Sequence, residues 1–506
     1  MKTYIENSGS RFAEESEIKR MAVEMDCAGD TINAAGMPLI SDGKTVSVAN
    51  HDLHTVTFGA TGSKKTRSLM KPLLILLAKA GESFLVHDPK GELYKKTKPL
   101  LDKLGYPVHV LNFRDPATGS RYNPLSTAFA AYKNGNKEKS NAYLSEIAQT
   151  IYAGLSANCN DVFWTATAER FWIGLAQLLR DEVDESAFTM ENIRLLEAQG
   201  MERFATSRYL NEYCRMMQHN AEMVANLNPT IQAPSETQGG LLSVWSSPLG
   251  LYMQESLCDM MLESDFDFAD MGRQKTAIFL VTPDEKSTYN AIISLLVKTA
   301  YSELIDLAES RECDGALPTR VNFVLDEFSN LPLIPDFGNM ISAARSRNIR
   351  LNLVVQSLTQ LHKTYSEATA ENIIANCEAW YILRSNDIVL HERVSRMCGQ
   401  HISEYMHTQR PLIDTMTIQR LDKQRGQVLI KLAGQYPFIT ELPDIDQYTF
   451  NLPDATNVDI PRRKPKIRPK FDIQEVTKNR KKNKLFDSLH AASQKESASA
   501  SDTTPF

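Results

Sequence analysis

No stretch of this sequence approaches the ~18 consecutive apolar residues that a helix needs to cross a bilayer. Its most apolar run, Pro72–Ala78, is short and closed by Lys79. The N-terminal stretch Met1–Arg20 is polar and charged, so it reads as neither a signal peptide nor an anchor. Cysteine is sparse: seven residues, at 27, 159, 214, 258, 313, 377 and 398, with no Cys-x-x-Cys pair. That spacing suggests neither a zinc site nor a disulfide framework, and the expectation is reduced thiols in the cytoplasm. An overall basic charge is missing too: the formal net charge is −6, which does not advertise a nucleic-acid partner. Internal repeats are not evident. What is present, 42% hydrophobic and 23% charged residues, is a globular composition. The length suffices for about two to four domains.

The most informative feature is residues 57–66, Thr-Phe-Gly-Ala-Thr-Gly-Ser-Lys-Lys-Thr, between the apolar-leaning stretch His54–Phe58 and the periodic segment Leu69–Leu77. A phosphate-binding loop reads Gly-x-x-x-x-Gly-Lys-[Ser/Thr], and here Lys64 replaces the second glycine. The candidate nucleotide-binding residues are Gly59, Ala60, Thr61, Gly62, Ser63, Lys64, Lys65 and Thr66. Backbone N–H groups must wrap a phosphate closely, with a helix N-terminus behind them, so small residues are required. Lys65 would reach the terminal phosphates and Thr66 would hold Mg²⁺. The plain alternative is an ordinary glycine-rich turn into a helix. Lysine at 64 is tolerated if that position has ordinary helical angles, and it then adds a cation beside the phosphates; otherwise it crowds the loop.

Strand-like runs appear at Phe84–His87, Val108–Asn112, Thr276–Thr282, Asn322–Leu325, Leu351–Val355, Trp380–Leu383 and Val428–Leu432. Most are continuously apolar, as strands buried on both faces are. Helical patterns at Arg67–Ala80, Lys90–Leu104, Tyr289–Ala308, Phe337–Arg347 and Thr369–Asn376 separate several of them. The alternation predicts an α/β fold with a mainly parallel, helix-covered sheet. Between roughly Leu125 and Leu262 strand signals vanish and helical patterns take over, at Ala142–Leu155, Ala166–Asp181, Met190–Ala198 and Tyr209–Leu227. This predicts an all-α insertion. Near the C-terminus eleven Lys or Arg stand between Arg462 and Lys484, among prolines, and a Ser/Ala/Thr-rich stretch, His490–Phe506, follows. Together they read as a disordered basic tail, able to neutralise nucleic-acid phosphates or simply solvated.

Asn322-Phe-Val-Leu-Asp-Glu-Phe places Asp326 and Glu327 at the carboxyl end of a buried strand. Unpaired burial of two carboxylates would cost several kcal/mol, on the order of the penalty for any buried charge, so they must face a polar crevice. After a phosphate loop, Asp326 would support Mg²⁺ and Glu327 would polarise the attacking water. The alternative is an acidic cap on the next segment. Gln356, at the tip of the following strand, could sense a γ-phosphate or be a surface residue. Arg345 or Arg347 could serve a neighbouring subunit's site as an arginine finger, or be solvated helix-end cations. Val86-His-Asp-Pro-Lys-Gly-Glu-Leu-Tyr ends a strand abruptly and would bring Asp88, Lys90 and Glu92 to the same sheet edge.

In this order the motifs resemble those of the TraG/TraD-type coupling proteins of type IV secretion and conjugation. Carrying the resemblance are the loop, Asp88-Pro-Lys-Gly-Glu-Leu-Tyr, Asn112-Phe-Arg-Asp-Pro with Asn123-Pro-Leu, and Leu325-Asp-Glu-Phe-x-Asn-Leu-Pro-x-Ile-Pro-Asp-Phe. Asp161-x-Phe-Trp164, Gln356-Ser-x-x-Gln-Leu and Asn376-Cys with Arg384-Ser-Asn-Asp387 extend it, so that it runs from about Gly9 to Pro443. The resemblance implies a RecA-like P-loop NTPase domain, 51–124 and 265–445, with an inserted all-α domain, 125–264. A lead-in segment, 1–50, precedes these and the tail, 446–506, follows. It implies ATP and Mg²⁺ as ligands, Lys65 and Thr66 on phosphate and metal, and Asp326 on the metal. Glu327 would activate water, Gln356 would sense the γ-phosphate, and Arg345 would be the trans-acting finger. Implied partners are single-stranded DNA with its relaxase, or protein substrates, the secretion channel, and further copies in a homo-hexamer. Such proteins usually begin with two membrane helices, so a separate anchor protein is expected to hold this chain at the inner face of the cell membrane. A non-hydrolysing adaptor and a cytosolic DNA translocase are the other readings.

Overall fold

The computed structural model describes residues 9–49, 51–156, 161–402, 409–455 and 458–484. The stretch 490–506 lies outside the described residues. The chain forms two compact units, Met1–Ser120 with Asp265–Arg463, and Arg121–Ser264 with Lys464–Phe506.

The first unit is built on a nine-stranded sheet. In chain order its strands are β1 Thr55–Phe58, β2 Ser83–Asp88, β3 Val108–Asn112, β4 Ala277–Val281, β5 Val321–Leu325, β6 Ile349–Val355, β7 Ala379–Ile382, β8 Gln427–Leu432 and β9 Phe438–Glu441. Their order across the sheet is β9-β8-β7-β1-β6-β5-β2-β4-β3. From β7 to β3 every pairing is parallel; β8 and β9 run antiparallel at one edge. Every residue of β2, β4, β5 and β6 is buried. This explains their continuous apolar runs, since helices cover both faces of such a sheet. Register sets the site: Leu325 lies opposite His87, His87 opposite Leu280, and Val355 opposite Phe58. The segments following β1, β2, β5 and β6 therefore leave the sheet at a single edge, where ligands of open α/β sheets bind.

Two strands lie beyond the seven runs read from sequence: β1, the apolar-leaning lead into the loop, and β9. The lead-in segment is itself folded. Helix Glu15–Arg20 and antiparallel strands Ala22–Asp26, Pro38–Ser41 and Thr45–Ala49 place Met37, Leu39, Val46 and Val48 in the same apolar core as Leu73–Leu77.

The second unit is helical, with one short hairpin of Arg203–Phe204 against Ser207–Arg208 among the described residues. Its axis is the helix Val162–Glu182, capped by the Asp161 carboxylate on the Phe163 N–H, with Phe171, Trp172 and Leu175 fully buried. Arg180 is fully buried as well. Its guanidinium reaches the Ser140 hydroxyl at 2.9 Å and Asn141 Oδ1 at 2.8 Å, and its Cζ lies 4.2 Å from the centre of the Tyr132 ring. The continuous helix expected over Tyr209–Leu227 is two, Tyr209–Met216 and Ala221–Ile231, broken at 217–220.

The basic stretch 464–484 departs from expectation. It is ordered and packs on the helical unit, and residues 473–484 are helical. Phe471, Ile473 and Thr477 are buried. Lys466 pairs with Glu263, Lys470 with Glu191, Arg468 with Glu191 at 3.2 Å, Arg480 with Glu182 at 2.5 Å and Lys481 with Glu212 at 3.3 Å. Composition suggested disorder because the neutralising acids are distant in sequence. The residues just before it are also folded: Tyr448 stacks on Phe450, whose carbonyl accepts from Lys79 at 3.0 Å. Ile473→Ala should therefore destabilise the helical unit by about 2–4 kcal/mol, as emptying a core site does. Thermal unfolding measures this, and an unchanged midpoint would mean that the stretch 464–484 contributes nothing to the core.

Candidate active site

Between Phe58 at the end of β1 and a π-helical turn, Thr66–Met70, that leads into the helix Lys71–Lys79, the loop is pinned at two neighbouring strand ends. The Gly59 N–H donates to the Val355 carbonyl at 3.4 Å and the Ala60 N–H to the Arg384 carbonyl at 3.0 Å. Gly59 is required by close approach, since a Cβ there would lie 2.6 Å from the Ser63 hydroxyl. That hydroxyl is buried without a hydrogen-bond partner among the described residues. Lys65 folds over its own loop, its ammonium donating to the Gly59 carbonyl at 2.5 Å and the Ala60 carbonyl at 3.2 Å. Burial lowers its pKa, against the pull of the Asp326 and Glu327 carboxylates.

Lys64 does not have helical angles. Its φ is +69°, beside Gly62 at +76°, so the condition under which lysine is easily tolerated there is not met. The residue sits where glycine is ordinarily needed, a strain of about 1–2 kcal/mol for an L-residue. Lys64→Gly should raise stability by about 1 kcal/mol. Calorimetric unfolding tests this, and a lowered midpoint would mean that contacts of the lysine side chain outweigh the strain of its backbone.

Across a cleft of about 350 Å³ stand Asp88, Pro89, Lys90, Glu92, Asp326, Glu327 and Gln356, facing the loop from Thr61 to Thr66 and Arg67. Asp326 is buried, and its carboxyl is pushed up to about 7, first by burial, then by Glu327; Lys65 opposes and Asp88 reinforces. Asp88 is held at about 6, mainly by burial, although it accepts the Tyr94 N–H at 2.9 Å. Two buried carboxylates raised in this way, with the Thr66 hydroxyl at the loop's end, are a donor set that fits a divalent cation, whose charge would restore their ionised forms. Glu327 also sits in the left-handed region, at φ +54°. Its carboxylate accepts from Asn330 Nδ2 at 2.9 Å and from Gln356 Nε2 at 3.4 Å. His87 is buried beneath it, its pKa depressed to about 4 by burial.

The structure thus gathers Thr61 to Thr66, Asp326, Glu327 and Gln356 around one cleft. Arg345 is not among them. It precedes the start of β6, seven residues and so roughly 20 Å from the cleft edge, and pairs with Glu378 at 2.5 Å. Arg347 pairs with Glu309 at 3.2 Å. Sequence reasoning left Arg67 without a role: it lines the cleft and grips Asp444 through both Nε and Nη2, the latter at 2.6 Å, with Asp446 alongside. Only its position directly after Thr66 could have drawn attention to it.

The family described as "Type IV secretory system Conjugative DNA transfer" matches residues 5–431. Among curated proteins the chain is similar to the protein VirD4 of Rhizobium radiobacter, 27% identical over 164 residues, or 32% of this chain and 22% of that protein. It is also similar to the "Probable conjugal transfer protein TraG" of Sinorhizobium fredii, 20% identical over 352 residues, or 68% of this chain and 52% of that one. The chain spans about a fifth to about half the length of these relatives. Among solved structures it resembles the plasmid coupling protein TrwB in complex with the non-hydrolysable ATP analogue ADPNP. That likeness has a TM-score of 0.65 and 17% identity, over 89% of this chain and 97% of that one. The unbound monoclinic form of TrwBdeltaN70 gives 0.64 and 16%, over 88% and 95%. At such identity these likenesses speak for the fold alone, a mainly parallel α/β sheet domain with a helical insertion.

Proposed function

The chain belongs to the type IV secretory system conjugative DNA transfer family, and from that premise we propose that it is an ATP-hydrolysing coupling protein. In this reading it recruits single-stranded DNA with its relaxase, or protein substrates, and drives their delivery into a secretion channel. The observation that carries the proposal is the convergence of the loop, the Asp326–Glu327 turn and Gln356 on one cleft. Lys65 would meet the β- and γ-phosphates as a point charge. Thr66 and Asp326 would hold Mg²⁺, which when bound offsets charge on the phosphate oxygens. Glu327 would accept the proton of the attacking water, its carboxylate aimed by Asn330 and Gln356. Gln356, which donates to Glu327 at 3.4 Å, would register a γ-phosphate.

Arg345 we assign to the cleft of a neighbouring copy in a homo-hexamer, because its own cleft is beyond its reach. The helical unit would be the substrate-recognition face, and a separate membrane protein would hold the assembly at the inner face of the cell membrane. The strained Lys64 favours a second reading, an adaptor that binds nucleotide without turnover; a DNA translocase working apart from secretion is the third.

Steady-state ATP hydrolysis with and without single-stranded DNA separates these readings. Turnover raised by DNA supports the motor. Binding with no turnover supports the adaptor. In the same assay Arg345→Ala should be inactive alone yet recover activity when mixed with Lys65→Ala subunits; no recovery in any ratio removes the trans role.

A further inference from the structure

His87 is the last-but-one residue of β2 and stands between the ends of two parallel neighbours, opposite Leu325 on β5 and Leu280 on β4. Its ring spans the two strand ends. Nδ1 lies 2.7 Å from the main-chain carbonyl of Asp326, and Nε2 lies 3.1 Å from the Thr282 hydroxyl. A carbonyl only accepts, so Nδ1 carries the hydrogen, and Nε2 must accept from Thr282. Thr282 is itself fixed on both sides of its backbone. Its N–H donates to the Asp88 carbonyl at 3.4 Å, and its carbonyl accepts from Arg114 Nε at 3.1 Å.

The carbonyl that His87 holds belongs to the peptide joining Asp326 to Glu327. The N–H of that same peptide donates to Asp326 Oδ1 at 3.0 Å. Both ends of one peptide plane are therefore tethered, directly before a residue at φ +54°. A left-handed glutamate persists only where its surroundings over-determine it. Rotation of that plane is the movement that would release Glu327 to ordinary angles and swing its carboxylate away from Asn330 and Gln356.

We propose that His87 is a positioning residue for hydrolysis: by holding the Asp326 carbonyl it locks the Asp326–Glu327 peptide, and so keeps the Glu327 carboxylate where it can take a proton from water. This rests on the hydrolytic role proposed above for Glu327. His87 need not touch nucleotide, so its loss separates turnover from binding.

In the full chain, His87→Leu should lower kcat about 10–100-fold, the cost of a misplaced catalytic group. The Kd for a non-hydrolysable ATP analogue should stay within about twofold, and KM should follow it, since the phosphate-binding groups are untouched. His87→Asn, whose amide can donate near the Nδ1 position, should recover most of the turnover. Should His87→Leu fail to fold, Thr282→Val, which removes only the group fixing the tautomer, should lower kcat about tenfold. Reduced thermal stability with normal kcat per folded molecule, or a fall in kcat matched by equal loss of affinity, overturns the proposal. So does wild-type kcat in a folded Thr282→Val protein where His87→Leu does not fold. A wild-type protein that binds nucleotide without hydrolysing it sinks the motor reading together with this one, whereas active wild type beside an unimpaired His87→Leu sinks this one alone.

Discussion

Lys65→Ala should abolish nucleotide hydrolysis, a loss of at least about 10²–10³-fold, as when one preorganised charge-stabilising group is removed from a phosphoryl-transfer site. The ammonium is the buried cation facing Asp326 and Glu327, and both carboxylates act on its charge. Alanine removes the point charge that would meet the transferred phosphate. It also leaves the Gly59 and Ala60 carbonyls without the donor that now holds them at 2.5 and 3.2 Å, a loss of about 1–3 kcal/mol for groups left unpaired in a buried setting. The loop should therefore loosen as well as lose charge, and affinity should fall together with turnover. Nucleotide titration and an ATPase assay on the same preparation check both. Turnover at the wild-type rate would remove the cleft from consideration as the site.

Glu327→Gln should act differently, cutting turnover about 10²–10⁴-fold, the range expected for loss of a positioned general base, while nucleotide still binds. The side chain keeps its length, but the amide cannot take a proton. Two donors converge on the present carboxylate, Asn330 Nδ2 and Gln356 Nε2. An amide can offer an oxygen to only one of them and must present its NH₂ to the other, so the grip should slacken. Bound ATP should persist unhydrolysed, which a single-turnover experiment reads directly. Undiminished turnover would assign water activation to another group.

The parts of this site legible in sequence are those whose chemistry is local. A glycine-rich loop before a helix and two carboxylates after an apolar run reveal themselves within ten residues, because strand, turn and helix signals are short-range. Whatever depends on register was not legible. His87 and Asp326 meet only because β2 and β5 are neighbours, though 239 positions separate them. The angles of Lys64 are likewise invisible in composition; a lysine in a glycine position can signal either relaxed backbone or tolerated strain, and only the φ of the folded chain decides. The N-terminal sheet escaped because short antiparallel strands with partial burial carry weak alternation. The stretch 464–484 was misjudged for a related reason: proline and lysine density describe a chain without partners, whereas its partners, Glu182, Glu191, Glu212 and Glu263, lie in a segment read separately as helices.

Synthesis order gives that last stretch a further meaning. Ile473 and Phe471 are core residues of the helical unit, yet they leave the ribosome long after Ser264. At about 5–20 residues per second, the intervening chain takes on the order of 10–40 s to make. Throughout that interval the nascent helical unit lacks Phe471 and Ile473 from its core, and its acids Glu182 and Glu191 lack their cations. During translation the apolar seat of Phe471 and Ile473 is open to chaperones and to other nascent chains. A ribosome that stops before codon 473 leaves a product whose first unit has its whole sheet and whose second lacks Ile473 from its core.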